Sequence, residues 1–120
     1  MPTKTVSRDW WRYFLTDVLA RFAGAPTTIL VRDRHLEELE LGLAYDLPLA
    51  GIELEWWPKE RVRLTVTQLS GALQTVEIEE PQTISLLEAK GGADSPDNGM
   101  VFQIETAAQI YFVQFGVSAD

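Results

Sequence analysis

His35 is the only imidazole in the chain, and it stands in the charged run Arg32-Asp33-Arg34-His35. A histidine base needs a carboxylate to orient it and a nucleophile within reach. Asp33 could do the first, but no second catalytic candidate accompanies the pair, so His35 reads as a solvated turn residue. The chain has no cysteine, which removes a disulfide framework, a thiolate zinc site and a cysteine nucleophile. Glu53 with Glu55, and Glu77 with Glu79, are spaced to project in pairs from single strand faces. Paired carboxylates about 5–10 Å apart can perform glycoside chemistry. Alternating glutamates are also the ordinary way to keep an outer sheet face soluble, and that is the reading adopted.

The segment from Gly91 to Gly99 (Gly-Gly-Ala-Asp-Ser-Pro-Asp-Asn-Gly) invites comparison with a calcium loop. Counted from Asp94, Pro96 takes a ligand position, and Glu105 takes the closing position but lies inside an expected strand. A hairpin loop ending in Asn98-Gly99 accounts for the segment better. No phosphate-binding glycine loop or nucleophile elbow is present. Hence no catalytic residue, metal or cofactor is expected, and the chain does not read as an enzyme.

The aromatic residues carry more promise. Trp57 falls on an outer face, and Tyr111 and Phe115 do so too if Ile110 and Phe112 face inward. With Val113 between them, Trp57, Tyr111, Val113 and Phe115 form a candidate interaction surface, suited to protein contact. Stacking on nucleic acid would call for basic neighbours that this sheet lacks.

These residues must be placed by a single domain, since 120 residues and 13.5 kDa leave too little for two cores. The formal charge of −8 disfavours nonspecific binding to nucleic acid or anionic membrane. It is unevenly spread: residues 1–35 carry six basic and three acidic groups, the remainder four and fifteen. A basic helix lying on an acidic sheet explains this most simply. Ala23-Gly24-Ala25 resembles a signal-cleavage site, but Arg12 and Asp17 interrupt the apolar run that a signal needs. No segment approaches a membrane span. A cytoplasmic protein is therefore expected.

Trp10, Trp11, Phe14, Leu15, Val18, Leu19 and Phe22 recur with helical spacing, predicting a helix over 7–23. Ser7 can cap its start, and Gly24 and Pro26 stop it. Burying each large side chain contributes roughly 1.5–3 kcal/mol, so the stripe must lie against something, most simply the protein's own sheet. From residue 27 onward apolar and polar residues alternate in short runs, ending at 116. About eight strands in an antiparallel meander follow from this pattern. Matching of faces pairs Trp56 with Val62 and Leu54 with Leu64, leaving Pro58-Lys59-Glu60 as a loop, and sets Val66 opposite Val76.

Trp11 with Phe14-Leu15 in an opening helix, the run Leu47-Pro48-Leu49-Ala50-Gly51-Ile52, and Ile78-Glu79-Glu80-Pro81 before a strand together resemble a family of small uncharacterised bacterial proteins, a domain of unknown function. The likeness implies a helix followed by strands, with a turn at Leu47–Ile52 and a bacterial source. It implies no site residue. The doubled tryptophans Trp10-Trp11 and Trp56-Trp57 and the longer loop 91–99 depart from that pattern.

The fold expected is α+β, an N-terminal helix on a curved antiparallel sheet of about eight strands, with closure into a barrel as one arrangement. The function expected is a noncatalytic protein-interaction or regulatory module. The alternative is a small-ligand domain with an apolar pocket between helix and sheet, where Trp10, Trp11 and Trp56 would converge. The closing strand is apolar on both faces, which points to a homodimer whose contact includes Tyr111, Val113 and Phe115.

Overall fold

The computed structural model describes residues 3–35, 40–87 and 100–116. A 3-10 turn, Arg8–Trp10, leads into the helix α1, Trp11–Phe22. Ser7 begins this turn with its backbone carbonyl, which accepts from the Trp10 N–H at 2.8 Å; its side chain makes no cap bond. Gly24, at φ +83°, supplies the left-handed residue that ends the helix before Pro26.

Eight antiparallel strands follow or flank α1. They are β1 (Thr3–Val6), β2 (Pro26–Asp33), β3 (Glu40–Glu55), β4 (Arg61–Thr67), β5 (Leu73–Glu79), β6 (Thr83–Leu87), β7 (Val101–Glu105) and β8 (Gln109–Phe115). Their order in the sheet is β1-β6-β7-β8-β2-β3-β4-β5. The single meander expected is thus two meanders, β2 to β5 and β6 to β8, joined where β8 pairs with β2. The sheet stays open rather than closing into a barrel. β1 escapes sequence reading because four residues with one apolar side chain carry no period.

The run Leu47–Ile52 is not a turn. It lies inside β3, which passes from β2 to β4 through three register irregularities, the first opposite Thr28, the second between Ile29 and Leu30 of β2, and the third between Leu49 and Gly51. At the first, Asp46 takes φ 52°, a strained value for a non-glycine residue. Thr28 steadies it, its Oγ1 accepting from the Asp46 N–H at 3.1 Å. Bulges of this kind bend and twist a strand, which lets one sixteen-residue strand serve both halves of a curled sheet. The curl brings the start of β5 back to the first half of β3, where the Gln74 Nε2 donates to the Leu43 carbonyl at 2.7 Å.

The inner face of the sheet carries the core. Ile29, Val62, Leu64, Val66, Ile78, Ile84, Phe102, Ile104 and Val113 are fully buried there. Trp11, Leu15 and Val18 of α1 complete it. The helix is locked on by ring contacts: Phe14 meets Phe102 edge-on at 5.5 Å, and Phe22 stacks on Phe115 at 4.7 Å. The Trp11 Nε1–H donates to the Val6 carbonyl at 3.1 Å, tying β1 to the helix. The helix thus lies on the protein's own sheet.

The hairpin faces match the sequence reading, but both registers differ by two residues. Leu54 pairs with Val62 and Ile52 with Leu64, so the turn runs over residues 56–60; Val76 faces Leu64. Face matching fixes the odd-even choice only, and a shift of two preserves it.

Candidate functional site

Two short segments meet at the start of α1. Residues 8–13 bring the 3-10 turn and the first helical turn; residues 56–60 form the β3–β4 turn. The Arg12 guanidinium lies over the Trp56 ring at 5.9 Å, and Arg8 forms an ion pair with Glu60. Arg8 also lies over Trp11 at 4.7 Å. On these two segments four large rings stay in solvent: Trp10 is 61% exposed, Tyr13 68%, Trp56 48% and Trp57 76%. Trp10 and Tyr13 touch each other at 5.5 Å. Three of the four tryptophans of the chain are therefore on the surface at this one junction.

Trp57 is the one member of the expected surface that the structure leaves outside. Tyr111, Val113 and Phe115 turn inward, which corrects the expected surface and the dimer contact built on it. Val113 sits opposite Phe102 on β7 and Ile29 on β2, both core residues, and the whole strand takes its face from those pairings. Val113 and Phe115 are fully buried, and Tyr111 is half-buried at the margin. Ile110 and Phe112 take the opposite face, where Ile110 is nonetheless buried and the Arg32 guanidinium covers the Phe112 ring at 5.3 Å. A strand apolar on both faces offers no period by which to choose between them.

Tyr111 lies within the electrostatic reach of Glu79. Burial, and secondarily the Glu79 charge, push its hydroxyl above the ordinary tyrosine range. The hydroxyl donates to Gln109 Oε1 at 2.9 Å.

The sequence reading missed Trp10, Arg12, Tyr13 and Trp56 as a group. The signal available was excess: the apolar stripe from Trp10 to Phe22 is wider than one buried helix face. The surplus falls on Trp10, which ends the 3-10 turn out of register with the helix. Nor do Trp10, Trp11 and Trp56 converge on a pocket between helix and sheet. Trp11 is 1% exposed and fills that space, while the other two point out.

The glutamate pairs project from the outer side of β3 and β5, where Arg61 and Arg63 of β4 hold Glu53, Glu55 and Glu77. Arg63 reaches Glu53 at 3.5 Å, Glu55 at 3.1 Å and Glu77 at 3.2 Å; Arg61 reaches Glu55 at 3.6 Å and Glu77 at 3.4 Å. His35 is an exposed turn residue whose backbone N–H donates to Asp33 Oδ1 at 2.8 Å. The loop 91–99 lies outside the described residues. Glu105 lies in β7, 3.7 Å from Arg34 and 3.2 Å from the Gln103 amide. Among the described residues no group of acidic and histidine side chains could hold a metal ion.

An open cleft of about 790 Å³ adjoins the aromatic junction, lined by Arg8, Lys59, Glu60, Glu79, Glu80 and the β7–β8 turn among others. Its charges are of both signs. The Thr106 hydroxyl beside it accepts from the Gln109 N–H at 3.0 Å, so it is held in the turn. The side chains named here set no nucleophile beside a base.

The molecule is thus an α+β domain with one helix on an open, curled, eight-stranded antiparallel sheet, and among the described residues no helix is long and apolar enough to cross a membrane. No known protein family, curated protein or solved structure matches the chain.

Proposed function

We propose that this domain is a noncatalytic protein-interaction module and that it contacts its partner through the junction of residues 8–13 and 56–60. The observation that carries this reading is the exposure of Trp10, Tyr13, Trp56 and Trp57 on two segments joined by the Arg12–Trp56 and Arg8–Glu60 contacts. Tryptophan, tyrosine and arginine are the residues that dominate binding energy when a partner excludes water from them. Left in water, rings of this size gain nothing from their exposure, and several of them on two adjoining segments favour a contact site. The resemblance to small bacterial proteins supplies no competing site. Protein partners are favoured over an anionic membrane or nucleic acid because Arg8 is committed to Glu60 and the chain carries −8 overall.

The test is comparative retention from an extract of the source cells. A partner held by immobilised wild type and by Glu53→Ala, but lost with Trp10→Ala/Trp57→Ala, supports the reading. Equal retention by all three chains overturns it. Circular dichroism and melting of the double variant check that the fold survives.

A further inference from the structure

An open sheet ends in two edges, here β1 and β5. An edge strand presents unpaired backbone N–H and C=O groups to which another strand can add, and proteins blunt such edges by shortness, lysine, proline, bulges or cover. β1 has two of these protections, being four residues long with Lys4 exposed within it. β5 lacks them. It is seven residues, Leu73-Gln74-Thr75-Val76-Glu77-Ile78-Glu79, with neither lysine nor proline, and it pairs with β4 in unbroken register. Among the described residues it pairs with no strand besides β4. Its glutamates face outward, and Glu77 shares Arg61 and Arg63 with Glu53 and Glu55, three carboxylates to two guanidiniums, so the cluster keeps a net negative charge.

We propose that β5 is the edge through which two copies of this chain join, antiparallel and related by a twofold axis at Val76. The strand's own pattern argues for a second copy as occupant. Faces are kept only if Val76 and Ile78 stay on the core side in both chains, which excludes registers shifted by an odd number. Of those remaining, the one centred on Val76 pairs all seven residues. It sets Thr75 opposite Glu77 and Leu73 opposite Glu79 on the outer face, and Gln74 opposite Ile78 on the inner. No glutamate meets a glutamate. Sliding by two towards Glu79 would put Glu77 against Glu77, and like charges directly opposite are unfavourable. Its Glu79 end borders the cleft beside Arg8 and Glu60, but the contact uses none of the exposed aromatic residues of the junction, and its test reads self-association alone.

Sedimentation velocity over a concentration series, at about 0.15 M ionic strength, tests it. Wild type is expected to show a monomer–dimer equilibrium. Thr75 is exposed and lies opposite Thr65 on β4, so either charge is tolerated there by the fold. Thr75→Glu places a glutamate opposite Glu77 twice per dimer and should weaken it roughly five- to thirtyfold; Thr75→Lys should tighten it by a similar factor. Asp17→Ala, on the exposed face of α1, should leave it unchanged. A wild type monomeric at every concentration overturns the proposal. So does a dimer that ignores both charges or shifts the same way with both.

Discussion

The outer face of β3, β4 and β5 and the junction at the start of α1 are both exposed, yet they are finished differently. On the sheet face Arg61 and Arg63 sit among Glu53, Glu55 and Glu77, and each arginine reaches at least two carboxylates within 3.6 Å. At the junction four aromatic rings stand in solvent, and the two arginines are laid over rings or tied to Glu60. On the first surface the arginines have found carboxylate partners within the chain. The second leaves its apolar area uncovered. The contrast teaches that exposure alone does not mark a site; what matters is whether the exposed groups have already found partners within the chain.

The sharpest break in this comparison runs between adjacent tryptophans. Trp11 is 1% exposed and Trp10 is 61% exposed. Trp11→Ala would empty the space between helix and sheet and drop the bond to the Val6 carbonyl. It should cost about 3–5 kcal/mol. Trp10→Ala should cost less than about 0.5 kcal/mol. Urea titration of both variants checks this, and similar losses in the two would mean that the junction belongs to the core.

On the sheet face the expected effect is smaller. Arg63→Ala leaves Glu53, Glu55 and Glu77 facing one another with only Arg61 between two of them. Exposed pairs are individually worth about 0.2–1 kcal/mol, and the Arg63 side chain is 29% exposed, so the loss should be about 1 kcal/mol. Salt should shrink the difference from wild type, because screening weakens the pairs that wild type has and the repulsion that the variant gains. A difference that held constant in high salt would point to packing by the arginine stem instead.

How far this contrast was legible in the sequence depends on the kind of signal. The period of α1 and the alternation of β4 and β5 announced the helix and strands, because one face of each is buried and the other is wet. The glutamates of the sheet face were readable for the same reason. The turn that the family likeness implies at Leu47–Ile52 falls inside β3, and only the pairing with β2 and β4 shows that the chain runs through. β8 was placed on the wrong face because Ile110, Tyr111, Phe112, Val113 and Phe115 satisfy either choice. The junction was the least legible. Arg12 and Trp56 are 44 positions apart, and nothing local says that the β3–β4 turn lies beside the helix start.

That long-range contact can itself be measured. A double-mutant cycle over Arg12→Ala and Trp56→Ala should give a coupling of about 0.5–1 kcal/mol, as for a cation over a ring in solvent. A coupling indistinguishable from zero would separate the two segments energetically and reduce the junction to two unrelated patches.

The smallest expected effect on stability is at Trp57, 76% exposed on the turn. Trp57 makes no ring contact among those described at the junction, so truncating it removes little that folding gained. Trp57→Ala should shift stability by less than about 0.5 kcal/mol. If the junction is a contact surface, the same change should weaken partner binding by 2 kcal/mol or more, roughly thirtyfold, the size seen when a buried interface tryptophan is cut back. The two numbers together carry the contrast with Arg63, where the change is in folding and not in binding. A Trp57→Ala chain that binds as well as wild type would leave Trp10 and Tyr13 to carry the contact.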